Sequence, residues 1–188
     1  MVKVLKRAFF ERPTLEVAPE LLGKEIILKQ SKKKYKLGII VEVEAYTHDD
    51  PACHAARGKT PRNEVMFGRG GFSYVYFIYG MYYCLNFVTE KADIPGAVLI
   101  RALEVCDEDD IRVASGPGKL CNYLKVTKEH NKIDCCNKDS SLIVVDNNYY
   151  KDKQFSIIQT NRIGISKAAD YPWRWYIKES KAVSKILS

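Results

Sequence analysis

The chain has 188 residues, and its 30 lysines and arginines exceed its 23 aspartates and glutamates by a formal net charge of +7. Apolar residues make up 46% of the sequence and charged residues 28%, which is a globular composition and excludes a disordered or fibrous chain. No apolar run reaches the about 20 residues of a membrane span, and no secretory signal follows the N-terminus. We therefore predict one domain over residues 1–188 that is not secreted. The positive charge favours a polyanionic partner only weakly.

The six cysteines predict neither a disulfide framework nor a metal site. No C-x-x-C motif occurs, and the only close cysteine–histidine pair, Cys53 and His54, is adjacent rather than at zinc-finger spacing. Cys84 lies inside an apolar aromatic run, where a thiol behaves as a small hydrophobic group. The pair Cys135–Cys136 is typical of a surface loop. We expect free thiols and no bound metal.

The first third of the chain predicts one helix and two strands. The helix spans Thr14–Leu22 and is closed by Gly23. Strands over Lys24–Lys29 and Tyr35–Tyr46 follow, separated by a lysine-rich turn at residues 31–34. Such a turn is usually a solvated hairpin tip, and we assign it no phosphate-binding role.

The middle of the chain predicts a short helix and a β-hairpin. Thr60 followed by Pro61 has the pattern of an N-cap and a first helical residue, and Gly68 would end that helix. Two β-rich runs, Phe72–Tyr79 and Met81–Val88, then flank Gly80 as the strands of a hairpin.

The remaining pattern adds strands with little helix. Ala97–Val105 predicts a strand, and a helix to about Leu124 follows Gly116 and Pro117. Three further short strands are predicted at Leu142–Val145, Phe155–Gln159 and Arg162–Ile165. Without regular βαβ alternation, this order favours an α+β fold around an antiparallel or mixed sheet with helices at its edges.

Two acidic residues and a tyrosine share one face of the second strand. Side chains alternate along a strand, so Glu42, Glu44 and Tyr46 lie on the face opposite Val43. A polar loop follows directly, and acids at a strand end beside a loop are a common site geometry. A simply solvated strand face explains the pattern equally well at this point.

Tyr79 stands out among the many aromatic residues of the hairpin. It immediately precedes Gly80, so we expect it at the exposed tip rather than in the core. A bulky aromatic tip suits insertion into stacked bases, as minor-groove wedges do. Packing within the sheet remains the better explanation for Tyr74, Phe77 and their neighbours.

Two polar residues interrupt apolar strands. Asn86 breaks the run Leu85–Val88, and Arg101 lies inside Ala97–Leu103. A buried charge is costly without a partner, so Arg101 needs a carboxylate such as Glu44 or Glu42, or an anion.

A series of motifs follows in a fixed order along the chain: Glu42–Tyr46, His54–Asn63, Met66–Gly68, Tyr74–Asn86, Leu99–Glu104, Gly116–Leu120, Arg162–Ile165 and Pro172–Tyr176. This series resembles one family, the alkyladenine (3-methyladenine) DNA glycosylases. The resemblance covers nearly the whole chain, from about Glu16 to the last few residues.

The resemblance implies a role for each matching residue. Glu44 would be the general base that activates the attacking water, and Arg101 would help to hold that water and the carboxylate. The side chains of Tyr46, His54 and Tyr76 would enclose a base flipped out of the duplex.

The same resemblance implies how DNA is held. Asn86 would lie under the purine and disfavour the amino group of normal guanine, and Tyr79 would fill the gap left in the duplex. We further expect five basic residues to contact phosphates, judged by their positions: Arg57, Lys59, Arg62, Arg69 and Lys119.

As a whole, the resemblance implies a monofunctional DNA glycosylase of base excision repair. It would hydrolyse the N-glycosidic bond of 3-methyladenine, 7-methylguanine and possible further bases such as hypoxanthine or ethenoadenine, leaving an abasic site. The implied fold is a single domain with a central mixed, antiparallel-rich sheet, short flanking helices and a protruding hairpin. The family implies a monomer acting on double-stranded DNA with damaged purines, no metal, no redox cofactor and no membrane. Its location would be the bacterial cytoplasm with the nucleoid, or a nucleus.

Two other functions compete with this one. A non-catalytic protein that binds damaged DNA would use the same basic surface and the same Tyr79. A metal-dependent nuclease would instead be built on Glu42, Glu44, His48, Asp49 and Asp50.

Overall fold

A single antiparallel sheet with few short helices forms the fold. The computed structural model describes residues 3–31, 34–106, 108–146 and 155–185. The helices are α1 (Arg7–Phe10), α2 (Thr14–Glu20) and α3 (Pro117–Leu124), with 3₁₀ turns at Glu64–Phe67 and Lys128–His130. The strands are β1 (Lys3–Val4), β2 (Glu25–Ser31), β3 (Lys34–Tyr46), β4 (Ser73–Ile78), β5 (Tyr82–Thr89), β6 (Gly96–Glu104), β7 (Leu142–Asp146), β8 (Ile157–Thr160) and β9 (Arg174–Ile177).

The strand order explains which parts of the chain meet. The nine-stranded sheet runs β1-β7-β2-β3-β6-β5-β4, and β9 joins it by pairing with β3 and β8. Every pairing among the described strands is antiparallel. The predicted α+β class, with its antiparallel-rich sheet and short flanking helices, is therefore confirmed.

The long strand β3 is the centre of this arrangement. Its first half pairs with β2, and its second half pairs with β9 at Glu42–Glu44. On the other side, the same second half pairs with β6. Hydrogen-bonded strands on both sides therefore fix the backbone that carries the two glutamates.

The pairing of β3 with β6 contains two irregularities next to the glutamates. Ile40 pairs with Leu103, whereas Glu42 pairs with Ala102, so Val41 is an extra residue on β3. Val43 then pairs with Ile100, which leaves Arg101 as the extra residue on β6. Such bulges re-aim a side chain and are frequent beside active sites.

The hydrophobic interior lies on both faces of the sheet. The larger cluster packs α2 and α3 against the sheet and includes Phe10, Leu21, Ile100 and Leu124. A smaller cluster includes Met66, Tyr74 and Ala97, with Tyr46 and Tyr76 packed against it. Burial of apolar area on this scale is the main contribution to folding.

The β4–β5 hairpin protrudes with Tyr79 at its tip. Tyr79 and Gly80 have φ values of 54° and 67°, and Met81 N–H donates to the Ile78 carbonyl at 3.3 Å. Positive φ at both central residues is the mirror-image turn that matches the twist of hairpin strands. The side chain of Tyr79 is 79% exposed, as expected for a tip residue.

Several local predictions were wrong. Arg162–Ile165 is an irregular loop rather than a strand, and the strand near this end is Arg174–Ile177. Thr60 does not cap a helix, because Asn63 N–H closes a turn on its carbonyl before the 3₁₀ turn begins. Cys135 is fully buried rather than on a surface loop.

Three further expectations concern the cysteines, the lysine-rich turn and membrane-spanning segments. All six cysteines are free. The tip of the lysine-rich turn at residues 32–33 lies outside the described residues. Within the part of the chain that the structure describes, no helix has the length and apolarity needed to cross a membrane.

Candidate active site

A cavity of about 320 Å³ opens between the sheet, the β4–β5 hairpin and the loop at residues 163–165. Ligand pockets in proteins start at about this size. The structure brings seven of the predicted site residues together in its lining: Glu44, Tyr46, His54, Tyr76, Tyr79, Asn86 and Arg101.

Glu44 is a buried carboxylate held by three donors. Its Oε1 accepts the Ile163 backbone N–H at 2.8 Å and lies 3.1 Å from the Arg101 guanidinium. Its Oε2 accepts the Tyr46 hydroxyl at 2.9 Å. Glu44 has no exposed surface but belongs to the cavity lining, where a carboxylate with fixed donors can orient a water molecule.

Two opposing effects act on the acidity of Glu44. Burial raises the pKa of this carboxyl above its ordinary value and outweighs the Arg101 charge and the hydrogen bonds, which lower it. Burial also tends to lower the pKa of Arg101, but the charges of Glu44 and Glu42 raise it overall. Arg101 thus stays cationic beside a carboxylate that is a stronger base than an exposed one.

Glu42 lies on the same face of β3 but plays a different part. It is fully buried, and it does not belong to the cavity lining that the described residues form. Its Oε1 accepts from Arg101 Nε at 3.1 Å and lies 3.3 Å from Arg174. Ser184 donates its backbone N–H at 2.6 Å and its hydroxyl at 2.9 Å.

Tyr46 forms one wall of the cavity with support from behind. The Arg162 guanidinium lies 4.6 Å from the centre of the Tyr46 ring and 5.2 Å from that of Trp173. Arg162 is itself buried and pairs with both oxygens of Asp50. Burial and the neighbouring Glu44 charge raise the pKa of Tyr46 far above its ordinary value, so its hydroxyl remains a donor.

His54 and Tyr76 provide a second aromatic wall. Their ring centres are 4.6 Å apart at an interplanar angle of 70°, an edge-to-face contact. His54 Nδ1 lies 2.8 Å from the Tyr74 hydroxyl. Desolvation of the ring and the charge of Arg62 lower the pKa of His54 below its ordinary value, although the residue as a whole is exposed. Burial likewise raises the pKa of Tyr74 to about 12.

Asn86 lies in the cavity lining and has a fixed orientation. Its side chain is 3% exposed, and its Nδ2 donates to the Tyr74 carbonyl at 2.9 Å. A buried amide with one committed donor presents a constant pattern of donors and acceptors to a base in the cavity.

The five predicted phosphate contacts are all exposed but differ in surroundings. Arg62 lies 5.4 Å from the Tyr76 ring centre, beside the cavity, and Lys59 lies 5.9 Å from that of Phe67. Lys119 follows Gly118, which lines the cavity.

Arg57 and Arg69 complete this set. Arg57 is exposed in the turn region that follows His54. Arg69 pairs with Glu11 at 2.8 Å, so its charge is already partly balanced.

The sequence pattern missed four contributors: Ile163, Arg162, Asp50 and Ser184. The Ile163 backbone N–H reaches Glu44 across a separation of 119 residues, and nothing local in the sequence signals this contact. The sequence Arg162–Ile165 has the pattern of a short strand, so neither the inward turn of Arg162 nor the contact of Ile163 was predicted. The sequence assigned Asp50 only to the competing metal-dependent nuclease.

The residues of the nuclease hypothesis do not assemble. Asp50 is enclosed with Arg162, Glu42 is held by arginines and Ser184, and His48 and Asp49 are exposed. Among the described residues, no group of three or more His, Cys, Asp and Glu side chains is arranged to hold a metal ion. The carboxylates of Glu42, Glu44 and Asp50 are paired with arginines, and the carboxylate of Asp49 accepts the Thr47 hydroxyl at 2.5 Å.

Comparison with known proteins gives one consistent family. The family model for methylpurine-DNA glycosylase (MPG) matches residues 8–181. A protein from Wolbachia sp. subsp. Brugia malayi (strain TRS), named "Putative 3-methyladenine DNA glycosylase", is 52% identical over 176 residues, covering 93% of this chain and 98% of its own length. Proteins of the same name from Trichodesmium erythraeum (strain IMS101) and Methanocella arvoryzae (strain DSM 22066 / NBRC 105507 / MRE50) are 42% and 46% identical over 198 residues each. Each alignment covers 97% of this chain, and 98% and 96% of those two relatives.

The cavity and the buried carboxylate thus belong to an enzyme of the DNA glycosylase class. The chain is a member of the methylpurine-DNA glycosylase family. It is a hydrolase, a DNA glycosylase, and DNA is its substrate.

Proposed function

We propose that this enzyme flips alkylated purines out of duplex DNA and hydrolyses their N-glycosidic bond with a water activated by Glu44. The substrates are 3-methyladenine and 7-methylguanine, with hypoxanthine or ethenoadenine as further candidates. The observation that carries this proposal is the Glu44 carboxylate, which is buried yet lines the cavity together with Arg101.

The chemistry follows from the position of that carboxylate. The sugar becomes oxocarbenium-like as the bond to the base breaks, and an ionised Glu44 stabilises this charge while orienting water. Water adds to C1′, its proton passes to Glu44, and the base leaves to give an abasic site. Arg101 and the Ile163 N–H keep Glu44 fixed. A cationic alkylated base leaves without a general acid.

The aromatic walls supply selectivity for electron-poor bases. Tyr46 and the His54–Tyr76 pair line the cavity, and their π-electrons favour a cationic alkylated purine there. Asn86 adds discrimination against the guanine amino group through its fixed amide. The Arg162 guanidinium behind Tyr46 holds that ring in place.

Extrusion of the nucleotide costs a few kcal/mol of stacking and pairing. Tyr79 offsets this cost by entering the stack, and its exposure at a hairpin tip supports that role. Arg57, Lys59, Arg62 and Lys119 contact phosphates around the cavity; Arg69 contributes less, because Glu11 already balances its charge. The enzyme acts as a monomer, and its reaction needs no metal or redox cofactor.

Substitution of Glu44 by glutamine tests the proposal. Glu44→Gln keeps the size and polarity of the side chain, so binding to a duplex with an abasic-site analogue should persist. Release of 3-methyladenine from dimethyl-sulfate-treated DNA, measured under single turnover, should fall by at least about 10²–10⁴-fold, the usual contribution of a general base. Glu104→Gln on the neighbouring strand, whose side chain contacts Ser180 rather than the cavity, is the matched control.

Three results would count against the proposal. Normal base release by Glu44→Gln would remove the assigned role of Glu44. An equal loss in Glu104→Gln would show that any change in these strands disables the enzyme. If the unmodified enzyme formed no alkali-labile sites in methylated DNA, only damage binding would remain.

A further inference from the structure

The C-terminal segment at residues 182–185 packs against the back of the Arg101–Glu42 pair. Ser184 donates twice to Glu42, from its backbone N–H to Oε2 at 2.6 Å and from its hydroxyl to Oε1 at 2.9 Å. The same hydroxyl accepts from Arg101 NH2 at 3.4 Å. The family model ends at residue 181, so Ser184 lies beyond the region that it matches.

The three nitrogens of the Arg101 guanidinium have three different partners. Nε donates to Glu42 at 3.1 Å, NH1 lies 3.1 Å from Glu44, and NH2 donates to the Ser184 hydroxyl. A serine hydroxyl has one hydrogen to give and two lone pairs to accept with, so it can donate to Glu42 and accept from Arg101 at once. Because Arg101 is only 7% exposed, water does not readily replace these partners.

We infer that Ser184 is a positioning residue, which acts through Glu42 and Arg101 to limit Arg101 to one contact with Glu44. With NH2 held by Ser184 and Nε held by Glu42, Arg101 presents only NH1 to Glu44. Without the hydroxyl, the guanidinium can turn and place two N–H groups on the Glu44 carboxylate. Such a bidentate pair stabilises the charged form and weakens the carboxylate as a base.

This inference rests on the proposed role of Glu44 as the general base. A positioning role and an ordinary packing role for Ser184 predict different pH–rate profiles. A displaced Arg101 lowers the pKa of Glu44, so the acidic limb of the pH–rate profile moves to lower pH. Loss of packing alone lowers the amount of folded enzyme and leaves that limb where it was.

The experiment compares Ser184→Ala with the unmodified enzyme and with Ser180→Ala. Ser180 is a matched control, because it lies two residues before the segment at residues 182–185 and its hydroxyl donates to Glu104 at 2.7 Å rather than to Glu42. Release of 3-methyladenine from dimethyl-sulfate-treated duplex DNA is followed under single turnover across the acidic pH range. Thermal unfolding and affinity for an abasic-site duplex are measured for each variant.

We expect Ser184→Ala to release 3-methyladenine at least about 10-fold more slowly. A loss of this size is reasonable, because a 1 Å misplacement of a group at an active site can reduce the rate by about 10²-fold. Its acidic limb should move to lower pH, its DNA affinity should stay the same, and Ser184→Thr should restore both rate and limb. Ser180→Ala should keep the limb of the unmodified enzyme.

An unchanged rate and limb in Ser184→Ala would overturn the inference, and so would a slower rate with an unmoved limb. Glu44→Gln is measured alongside, so that a failure of the general-base role of Glu44 can be distinguished from a failure of the positioning role of Ser184. Activity in Glu44→Gln would refute the proposed function. An inactive Glu44→Gln beside an unaffected Ser184→Ala would refute only the role of Ser184.

Discussion

Removal of the Tyr79 ring should weaken binding to flipped-base DNA without changing the stability of the protein. The side chain is 79% exposed, so Tyr79→Ala removes almost no contact within the fold, and exposed substitutions change unfolding free energy by less than about 0.5 kcal/mol. Stacking of one aromatic ring on a base contributes about 1–3 kcal/mol. The dissociation constant for a duplex with an abasic-site analogue should therefore rise by about 5- to 150-fold.

Fluorescence anisotropy on labelled duplexes, with and without the abasic-site analogue, measures this effect. Tyr79→Phe keeps the ring and should bind like the unmodified enzyme. Met81→Ala is a control at the same hairpin tip, since Met81 is 62% exposed and also contributes little to the fold. If Tyr79→Ala bound the abasic duplex normally, or if Met81→Ala lost as much affinity, Tyr79 would not be the residue that enters the stack.

Two further predictions concern pH and salt. Because burial raises the pKa of Glu44 above its ordinary 4.5, base release should fall on acidification with a midpoint above that value. A midpoint at or below 4.5 would contradict the raised pKa of Glu44. Arg62→Ala removes a cation that lowers the pKa of His54, so NMR titration should show that pKa rising. Arg62→Ala should also reduce the salt dependence of DNA binding by about one phosphate contact. Arg69→Ala is the control, because Arg69 is paired with Glu11: it should reduce the salt dependence less and leave the pKa of His54 unchanged.

Local rules predicted the positions of three residues of the cavity, Glu44, Tyr46 and Tyr79, whereas His54, Tyr76 and Asn86 were assigned to it only through the resemblance to the family. Alternation along a strand places Glu44 and Tyr46 on one face, and the residue before a turn glycine lies at a hairpin tip. Both rules need only a few neighbouring residues. The buried charge of Arg101 also required a carboxylate partner, and the structure pairs it with both glutamates.

The parts that were missed depend on contacts between distant segments. The bulge at Arg101 results from the register of the β3–β6 pairing, and no pattern within either strand predicts it. The loop at residues 162–165 lacks regular structure because Arg162 turns inward to Asp50, across 112 residues. Arg174 lies in a strand that pairs with β3, and Ser184 reaches Glu42 only after the chain has closed over the sheet.

The pairing of β9 with Glu42–Glu44 also has a consequence for how the enzyme matures during synthesis. A ribosome makes the two glutamates long before it makes residues 174–184. These later residues pair with the backbone at Glu42–Glu44 and donate a hydrogen bond to the Glu42 carboxylate. Domains generally fold as units, and contacts between residues this remote in sequence are slow to form. A chain released before residue 174 would expose the edge of β3 and lack the support of its carboxylates. Only molecules that include residues 174–184 would then release bases from DNA, so shorter products would not create abasic sites.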